Sequence, residues 1–474
     1  MNVEHRKSAG PLTGIFHIHL RNKFLALSER RALVLVTLLA VGLRLISAIY
    51  QGNNVTDLPG VYDQISYDGL ARRVVDGFGF SFAEGHWPAT HAGEPTAHWS
   101  YLYTLFLALI YALFGANPVI ARLIQALIAG LLQTILLWRI GSRLFNPTVG
   151  LIASALNSIY IYFFYYAGAL VTETFYITGI LWIFDSTFRI TSVTCRSDDA
   201  EPSPAPWWQW LELGLAISVT VLLRQVFLLI LPILLLWIWW NLPRTESSAW
   251  KRRFGMHAVH GLSLSMAVLL LMILPFTIRN QRAFGTFVLL NTNAGFAFFW
   301  GNHPVHGTNF LSILPADQPT YYDLIPPELL SLNEADLDRA LLQRGLGFVA
   351  DDPVRYFMLS ISRLKDFFIF WPTAESGLIS NASRVGSFGI SLPFVIIGFW
   401  VEVSSTRKIQ SQSVRRSILL LVVFVVIYTL IHLASWTLVR YRLPVDAIFL
   451  MFAALGIEKL ARPYLSHGNQ RDYV

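Results

Sequence analysis

The sequence contains few charged residues for its length. Of its 474 residues only 14% are Asp, Glu, Lys or Arg, whereas a soluble globular protein has about 25%. It also contains a single cysteine, Cys195, which excludes an intramolecular disulfide and a metal cluster held by cysteines. The composition is therefore atypical of a soluble protein and of a disulfide-stabilised secreted one.

Apolar residues are correspondingly abundant. The chain is 54% hydrophobic and 14% aromatic, and its mean hydropathy is +0.51. Several apolar runs reach the roughly 20 residues that a helix needs to cross a bilayer. We therefore expect an all-α polytopic membrane protein in contact with membrane lipids. The net charge of +7 would suggest nucleic acid for a soluble protein, but here basic residues are expected to collect in cytoplasmic loops. We expect no nucleic-acid partner.

The apolar segment Tyr101–Phe114 decides the topology. At about 1.5 Å per residue it is about 21 Å long, shorter than the roughly 30 Å hydrocarbon core. If it crosses the membrane, the basic clusters that follow fall outside. If it lies on or dips into the outer face, they all fall inside, as the positive-inside rule requires. The second alternative is favoured. The cytoplasmic clusters are then Arg139/Arg143, Arg189/Arg196, Arg244/Lys251/Arg252/Arg253, Arg407/Lys408/Arg415/Arg416 and Lys459/Arg462.

This choice predicts ten or eleven transmembrane helices and four segments of chain. Residues 1–31 are cytoplasmic, and 32–278 form a transmembrane catalytic module with an external loop at 51–117. Residues 279–384 form a second external loop with interfacial helices, and 385–474 form the last transmembrane helices and a cytoplasmic tail. Short helices are expected at 64–75 and near 334–348. The predicted spans are 32–50, 118–145, 149–166, 170–184, 207–223, 225–240, 262–278, 385–401, 418–434 and 443–461.

Under this topology several charged side chains share the external face. Glu173 is the only charged residue between positions 144 and 184, and a charge at membrane depth costs several kcal/mol. It is either a buried carboxylate beside a cation or a bound hydroxyl, or it lies in a solvated turn. Arg224 separates two apolar runs and either binds an anion or is an arginine that snorkels to the interface. Arg440 and Arg442 begin the last span, as pocket residues or as interfacial anchors.

The external loop also contains three histidines interspersed with two glutamates, Glu84 and Glu94. His86, His91 and His98 follow Glu84 with spacings that match no structural zinc pattern. We favour a solvated polar loop beside the site over a metal centre.

A carboxylate with several arginines at the membrane face suits a lipid-linked phosphate substrate. The planar donors of arginine match phosphate, and Asp63, just after the first span, could take the proton from an acceptor hydroxyl as a general base. A phosphate leaving group needs no protonation, so one carboxylate is enough, unlike the acid/base pair of a glycosidase. The alternatives are a flippase for lipid-linked sugars, a polysaccharide polymerase, or an accessory subunit with a degenerate site.

The motifs resemble those of the GT-C glycosyltransferases, in the branch of protein O-mannosyltransferases and the lipid A aminoarabinose transferase. Each motif alone is modest, but their order and spacing are fairly specific and extend over most of 32–461. The matching residues are Asp63-Gln64-x-x-Tyr67-x-x-x-Ala71, Trp99-Ser100-Tyr101, Leu113-Phe114-Gly115, Thr172-Glu173, Leu223-Arg224, Ile278-Arg279-Asn280-Gln281-Arg282-Ala283-Phe284-Gly285, Asn291-Thr292-Asn293, Gly301-Asn302 and Arg440-Tyr441-Arg442-Leu443-Pro444.

The resemblance implies a polyprenyl-phosphate sugar donor, an inverting transfer and interfacial helices in the first external loop. It implies that Asp63 is the catalytic carboxylate. One departure matters: the family often has Glu after this Asp, and this chain has Gln64. A divalent metal is therefore not supported at this pair, and no cofactor is expected. The candidate substrate-binding residues are Tyr67, Glu173, Arg224, Arg279, Asn302, Arg440 and Arg442.

The acceptor stays open, as a glycan, a lipid or a protein. The missing disulfides and the resemblance favour a bacterial inner membrane with the site facing the periplasm.

Overall fold

The computed structural model describes residues 11–58, 61–192, 205–242, 248–315, 317–374, 376–405 and 412–468. Side chains at 11–27, 248–255, 405 and 463–468 are left undescribed. Within these ranges the regular structure is helical, with isolated bridges in place of strands. This confirms the all-α fold class. Of the predicted cytoplasmic residues, Arg196, Arg244, Arg407 and Lys408 lie outside the described positions, as does much of segment 1–31.

Seventeen α-helices follow one another within the described ranges. Short 3₁₀ turns at Gln225–Leu229, Pro304–His306, Pro327–Leu329 and Val439–Arg442 and a π turn at Val385–Gly389 join some of them. The helices are α1 (Pro11–Gln51), α2 (Asp63–Val75), α3 (Tyr101–Phe114), α4 (Pro118–Leu144), α5 (Pro147–Ile159), α6 (Ile161–Gly168), α7 (Glu173–Ser192), α8 (Trp207–Leu223), α9 (Leu231–Asn241), α10 (Ser248–Phe284), α11 (Ala294–Asn302), α12 (Glu334–Asp351), α13 (Pro353–Phe367), α14 (Leu378–Arg384), α15 (Ile390–Ser405), α16 (Gln412–Ala434) and α17 (Leu443–Gly468).

Each predicted span coincides with a helix or a helix pair. Five described helices are long and apolar enough to cross a membrane, and the α5–α6 pair, bent by 53°, would make a sixth. The helices α3, α8 and α9 are apolar but shorter. The polytopic character is thus confirmed, while the number of ten or eleven crossings stays a prediction.

Small residues let the long helices approach one another. Gly141 of α4 lies against Gly150 of α5, and Gly214 of α8 lies against Ser265 of α10. Gly398 of α15 contacts the backbone of α17 at Phe452. In a bilayer the hydrophobic effect does not drive helices together, because lipid tails are as apolar as the side chains. Helices associate there through close backbone contact at small residues.

One end of the bundle is held by a buried carboxylate. Asp185 of α7 is inaccessible and lies 3.0 Å from Arg139, 3.2 Å from Arg143 and 3.1 Å from Arg189. Arg189 also pairs with Glu212 of α8. These three arginines belong to the clusters predicted to be cytoplasmic. We call this end the Asp185 pole and the opposite end the Asp63 pole.

The helix α3 lies at the Asp63 pole and does not run to the other end. Its N-cap residue Ser100 donates to the carbonyl of Leu222, near the end of α8 (2.9 Å). After α3, Arg122 of α4 donates to the carbonyls of Gln51 (3.3 Å) and Asn54 (2.9 Å), where α1 ends. Since α1 ends and α4 begins at the same pole, α2 and α3 make no net crossing. This geometry agrees with the interfacial placement of Tyr101–Phe114, which stays a prediction.

The second long loop packs on the first through Glu334. This buried residue opens α12 and accepts from Thr90 Oγ1 (2.8 Å), from the Ala97 amide (2.7 Å) and from Thr292. The helix predicted near 334–348 is therefore present and extends to Asp351.

The following helix, α13, leaves an apolar face exposed, as an interfacial helix does. The exposed residues are Val354, Phe357, Met358, Ile361 and Leu364.

Labelling of single cysteines should separate the two poles. In a Cys195→Ser background, Ala116→Cys and Thr148→Cys place exposed thiols after α3 and in the first turn of α5. We expect a membrane-impermeant maleimide to label position 116 in intact cells and position 148 only after permeabilisation. Labelling of both positions from outside would contradict the topology.

A methyl group on Gly398 would overlap the carbonyl oxygen of Phe452. Overpacking of this kind costs about 1–3 kcal/mol, so Gly398→Ala should lower the apparent melting temperature of the detergent-solubilised protein. Gly347→Ala in α12 is the matched control because its new methyl group meets open space. Equal melting temperatures for the two variants would contradict the close α15–α17 contact.

Candidate active site

Asp63 is the first residue of α2, at the mouth of the Asp63 pole. Its side chain is 24% exposed, and Oδ2 lies 2.8 Å from Nη2 of Arg440. Arg440 belongs to the 3₁₀ turn that precedes α17, and its side chain is only 6% exposed. One ion pair thus connects a residue that follows the first predicted span with a residue that precedes the last one.

Glu173 lies behind this pair and is shared by two arginines. Its side chain is 2% exposed, so the alternative of a solvated turn is wrong. Oε1 lies 2.6 Å from Nη2 of Arg224 and 3.3 Å from Nε of Arg440. Arg224 also donates through Nε to the hydroxyl of Thr172 (3.0 Å). We call Asp63, Arg440, Glu173 and Arg224 the carboxylate–arginine chain.

An aromatic ring and one free donor complete this chain. The Tyr441 ring lies 4.9 Å from the guanidinium carbon of Arg224 and 5.5 Å from that of Arg440. The Nη1 of Arg440 is buried and has no hydrogen-bond partner among the described residues. A buried donor without a partner is costly, so an anion at this place would be bound favourably.

Tyr67 lies one helical turn after Asp63 and packs on the loop that follows α2. Its hydroxyl accepts from the amide of Ser100 (3.4 Å), and its ring makes edge contacts with Trp99 (5.4 Å) and Tyr103 (4.9 Å). Burial raises the pKa of the Tyr67 phenol, which is therefore neutral at physiological pH. Its predicted part in substrate binding stays a prediction.

The other three candidates have separate partners. Arg279 donates to the carbonyls of Thr96 (2.9 Å) and Phe80 (3.1 Å), so it holds the first loop against α10. Asn302 is buried and accepts from Arg363 (2.9 Å). The structure does not bring either of them into the carboxylate–arginine chain.

Arg442 pairs with Asp446 at 2.8 Å and donates to the carbonyl of Phe367 (2.7 Å). Both charged groups are buried, so this is a second, separate ion pair. A role in substrate binding stays a prediction for Arg279, Asn302 and Arg442 alike.

Gln64 has a structural environment that the sequence did not reveal. Its side chain is inaccessible, accepts from Arg122 (3.2 Å) and donates to the carbonyl of Thr56. Arg122 in turn binds the end of α1. Gln64 therefore fixes the first turn of α2 against α1 and α4.

The three loop histidines do not converge. His86 bonds to Ser66 (2.8 Å), His91 to the carbonyl of Leu330 (2.9 Å), and His98 lies among tryptophans. Across the ranges that the structure describes, no three His, Cys, Asp or Glu side chains form a group that could hold a metal ion. The expectation that Asp63 and Gln64 hold no metal stays a prediction.

Solved structures share this architecture, although no family model and no curated protein matches the sequence. The apo oligosaccharyltransferase of Archaeoglobus fulgidus superposes with a TM-score of 0.58 over 93% of this chain and 52% of that one, at 14% identity. The complex of the same organism's oligosaccharyltransferase AglB with an inhibitory peptide and a dolichol-phosphate gives 0.56 over 95% and 52%, also at 14%. The chain has a GT-C fold.

The GT-C fold is what these comparisons establish. The chain spans about half the length of the archaeal enzyme. ArnT from Cupriavidus metallidurans, bound to undecaprenyl phosphate, matches 91% of this chain and 78% of its own at 14% identity, but with a TM-score of 0.38. That superposition is too weak to argue from.

Replacing Glu173 by Gln should destabilise the protein. The change leaves Arg224 and Arg440 with one countercharge fewer in a buried place, and breaking a buried pair costs about 3–5 kcal/mol. We expect a lower apparent melting temperature in detergent. The control is Glu328→Gln, whose exposed pair with Arg344 is worth about 0–1 kcal/mol. Similar melting temperatures for both variants would contradict the shared-carboxylate geometry.

Proposed function

We propose that the protein is an inverting glycosyltransferase that moves a sugar from a polyprenyl-phosphate donor to an acceptor hydroxyl at the external face of the membrane. The observation that carries this proposal is the carboxylate–arginine chain at the Asp63 pole. It combines a reachable carboxylate with one buried and one partly buried arginine, a set of charges that suits a lipid phosphate. The GT-C fold supports it, since the archaeal enzyme of that fold is an oligosaccharyltransferase with dolichol-phosphate bound in one structure.

The arginines hold the donor phosphate in this proposal. Arg440 offers Nη1, which has no partner within the described part of the chain, and Arg224 is positioned by Glu173 and Thr172. Arginine binds phosphate through planar, charge-assisted hydrogen bonds. The same contacts stabilise the charge that develops on the phosphate as its bond to the sugar breaks.

Asp63 is the general base. It is the most exposed member of the chain, at 24% against 2% for Glu173, so an acceptor can reach it. The acceptor oxygen forms the new bond to the anomeric carbon while the bond from that carbon to the phosphate oxygen breaks. Asp63 takes the hydroxyl proton, and polyprenyl phosphate leaves as an anion. One displacement inverts the anomeric centre.

We also propose that no metal is held at Asp63 and Gln64. The amide of Gln64 is already occupied by Arg122 and Thr56, and the two arginines supply the positive charge that a metal would bring. Hexosyl and pentosyl donors both fit this scheme. A bacterial inner membrane, with the site facing the periplasm, stays the favoured location.

A flippase accounts for the arrangement less well. A transport path needs charged groups distributed across the membrane. The buried carboxylates Asp185 and Glu173 instead lie at opposite poles.

Asp63→Asn tests the proposal most directly. Removing a general base should reduce transfer about 100-fold to 10,000-fold, with protein level and binding of the lipid donor largely unchanged. Transfer is measured with a radiolabelled polyprenyl-phosphate sugar and an envelope extract as the acceptor.

The matched control is Asp57→Asn, an exposed acid in the same loop, which should keep wild-type transfer. Wild-type activity in Asp63→Asn would refute the catalytic assignment. Donor that crosses a reconstituted bilayer with its sugar intact would instead favour the flippase.

A further inference from the structure

The loop after α2 places an aromatic cluster beside the proposed base. Ser66 bonds to His86 (2.8 Å), and Tyr67 contacts the Trp99 ring (5.4 Å), so the loop is held directly on α2. Asp63 and Tyr67 are four residues apart and therefore lie on one face of that helix. We call Trp87, His98, Trp99 and Trp300 the aromatic cluster.

Trp87 is the exposed member of the aromatic cluster and touches the other three. Its ring stacks on Trp300 (5.3 Å, 25°), meets His98 edge-on (5.6 Å) and lies 6.2 Å from Trp99. Trp87 is 47% exposed, whereas the other three are at most 9% exposed. A large flat ring is therefore presented to solvent over a buried aromatic floor.

The buried rings carry polar atoms that lack partners. Trp99 Nε1, Trp300 Nε1 and His98 Nδ1 are buried and form no hydrogen bond with any described residue. The indole nitrogens can only donate. Burial lowers the pKa of His98, so its imidazole is neutral at physiological pH. The floor beneath Trp87 is therefore neutral as well as aromatic.

The surrounding loop carries no positive charge. Between Ser81 and Ser100 the charged residues are Glu84 and Glu94 alone, and the buried Glu334 lies behind them. The two arginines that contact this loop, Arg73 and Arg279, already donate to its backbone or to Ser81, so a phosphorylated or carboxylated headgroup would find no basic side chain of the loop to bind.

We propose that the aromatic cluster binds a neutral sugar ring of the acceptor, so that the acceptor is a glycan. The partly positive C–H groups on one face of a sugar are attracted to the negative face of the Trp87 ring. The contact from Trp99 to Tyr67 places this subsite next to Asp63, where an acceptor hydroxyl must lie. The inference rests on the glycosyltransferase function proposed above.

Fractionation of the labelled product tests the inference on the wild-type protein. The full chain in lipid nanodiscs is given radiolabelled polyprenyl-phosphate sugars, together with the separated polysaccharide, lipid and protein fractions of the cell envelope. We expect the label in material that resists protease and stays out of chloroform–methanol. Label in the lipid fraction or in a protease-sensitive product would overturn the glycan assignment. No release of sugar from the donor at all would instead refute the proposed function.

Trp87→Ala tests the subsite itself. Losing the stacking surface should raise the acceptor KM on the order of tenfold, with kcat and donor hydrolysis little changed. Trp87→Phe, which keeps an aromatic face, should recover most of the loss.

The matched control is Trp208→Ala, because Trp208 is 46% exposed and begins α8 at the opposite pole. An unchanged acceptor KM in Trp87→Ala would overturn the subsite. So would equal effects of Trp87→Ala and Trp208→Ala.

Discussion

The shared carboxylate of Glu173 is the interaction on which the Asp63 pole depends. Taking an ion out of water costs several kcal/mol even after relaxation, and Glu173, Arg224 and Arg440 are all largely buried. Each group is tolerated only because the others are in place. Because they come from α7, the end of α8 and the turn before α17, their pairing brings three distant segments together. Asp63 pairs with Arg440, so its position is fixed by the same set of contacts.

The opposite pole uses the same principle with different partners. Asp185 is surrounded by Arg139, Arg143 and Arg189, so α7 carries a buried acid at each end of the bundle. A helix fixed at both ends cannot easily slide or tilt relative to its neighbours α4 and α8. We infer that this rigidity preserves the distances around Glu173, since positioned dipoles and charges stabilise a transition state only when they need not reorganise.

The fold was largely predictable, and the pairing within the site was not. Hydropathy and the distribution of arginines were enough to place the helices and to keep Tyr101–Phe114 at one pole, because both depend on composition along the chain. Arg440 and Arg442 show the limit. In a 3₁₀ turn with three residues per turn, residues two apart point in different directions. Arg440 therefore faces Asp63, while Arg442 faces Asp446. Nothing in the motif distinguishes the two, since their partners lie far away in the sequence.

The contacts of Gln64 support a site that has Asp63 as its one carboxylate at the start of α2. A glutamate at this position could still pair with Arg122, but it would have no donor for the carbonyl of Thr56, whereas the amide both accepts from Arg122 and donates to that carbonyl. Arg122 then holds the end of α1. The orientation of the first turn of α2 thus comes from protein hydrogen bonds. In the proposed function, Arg224 and Arg440 supply the positive charge that the donor phosphate needs.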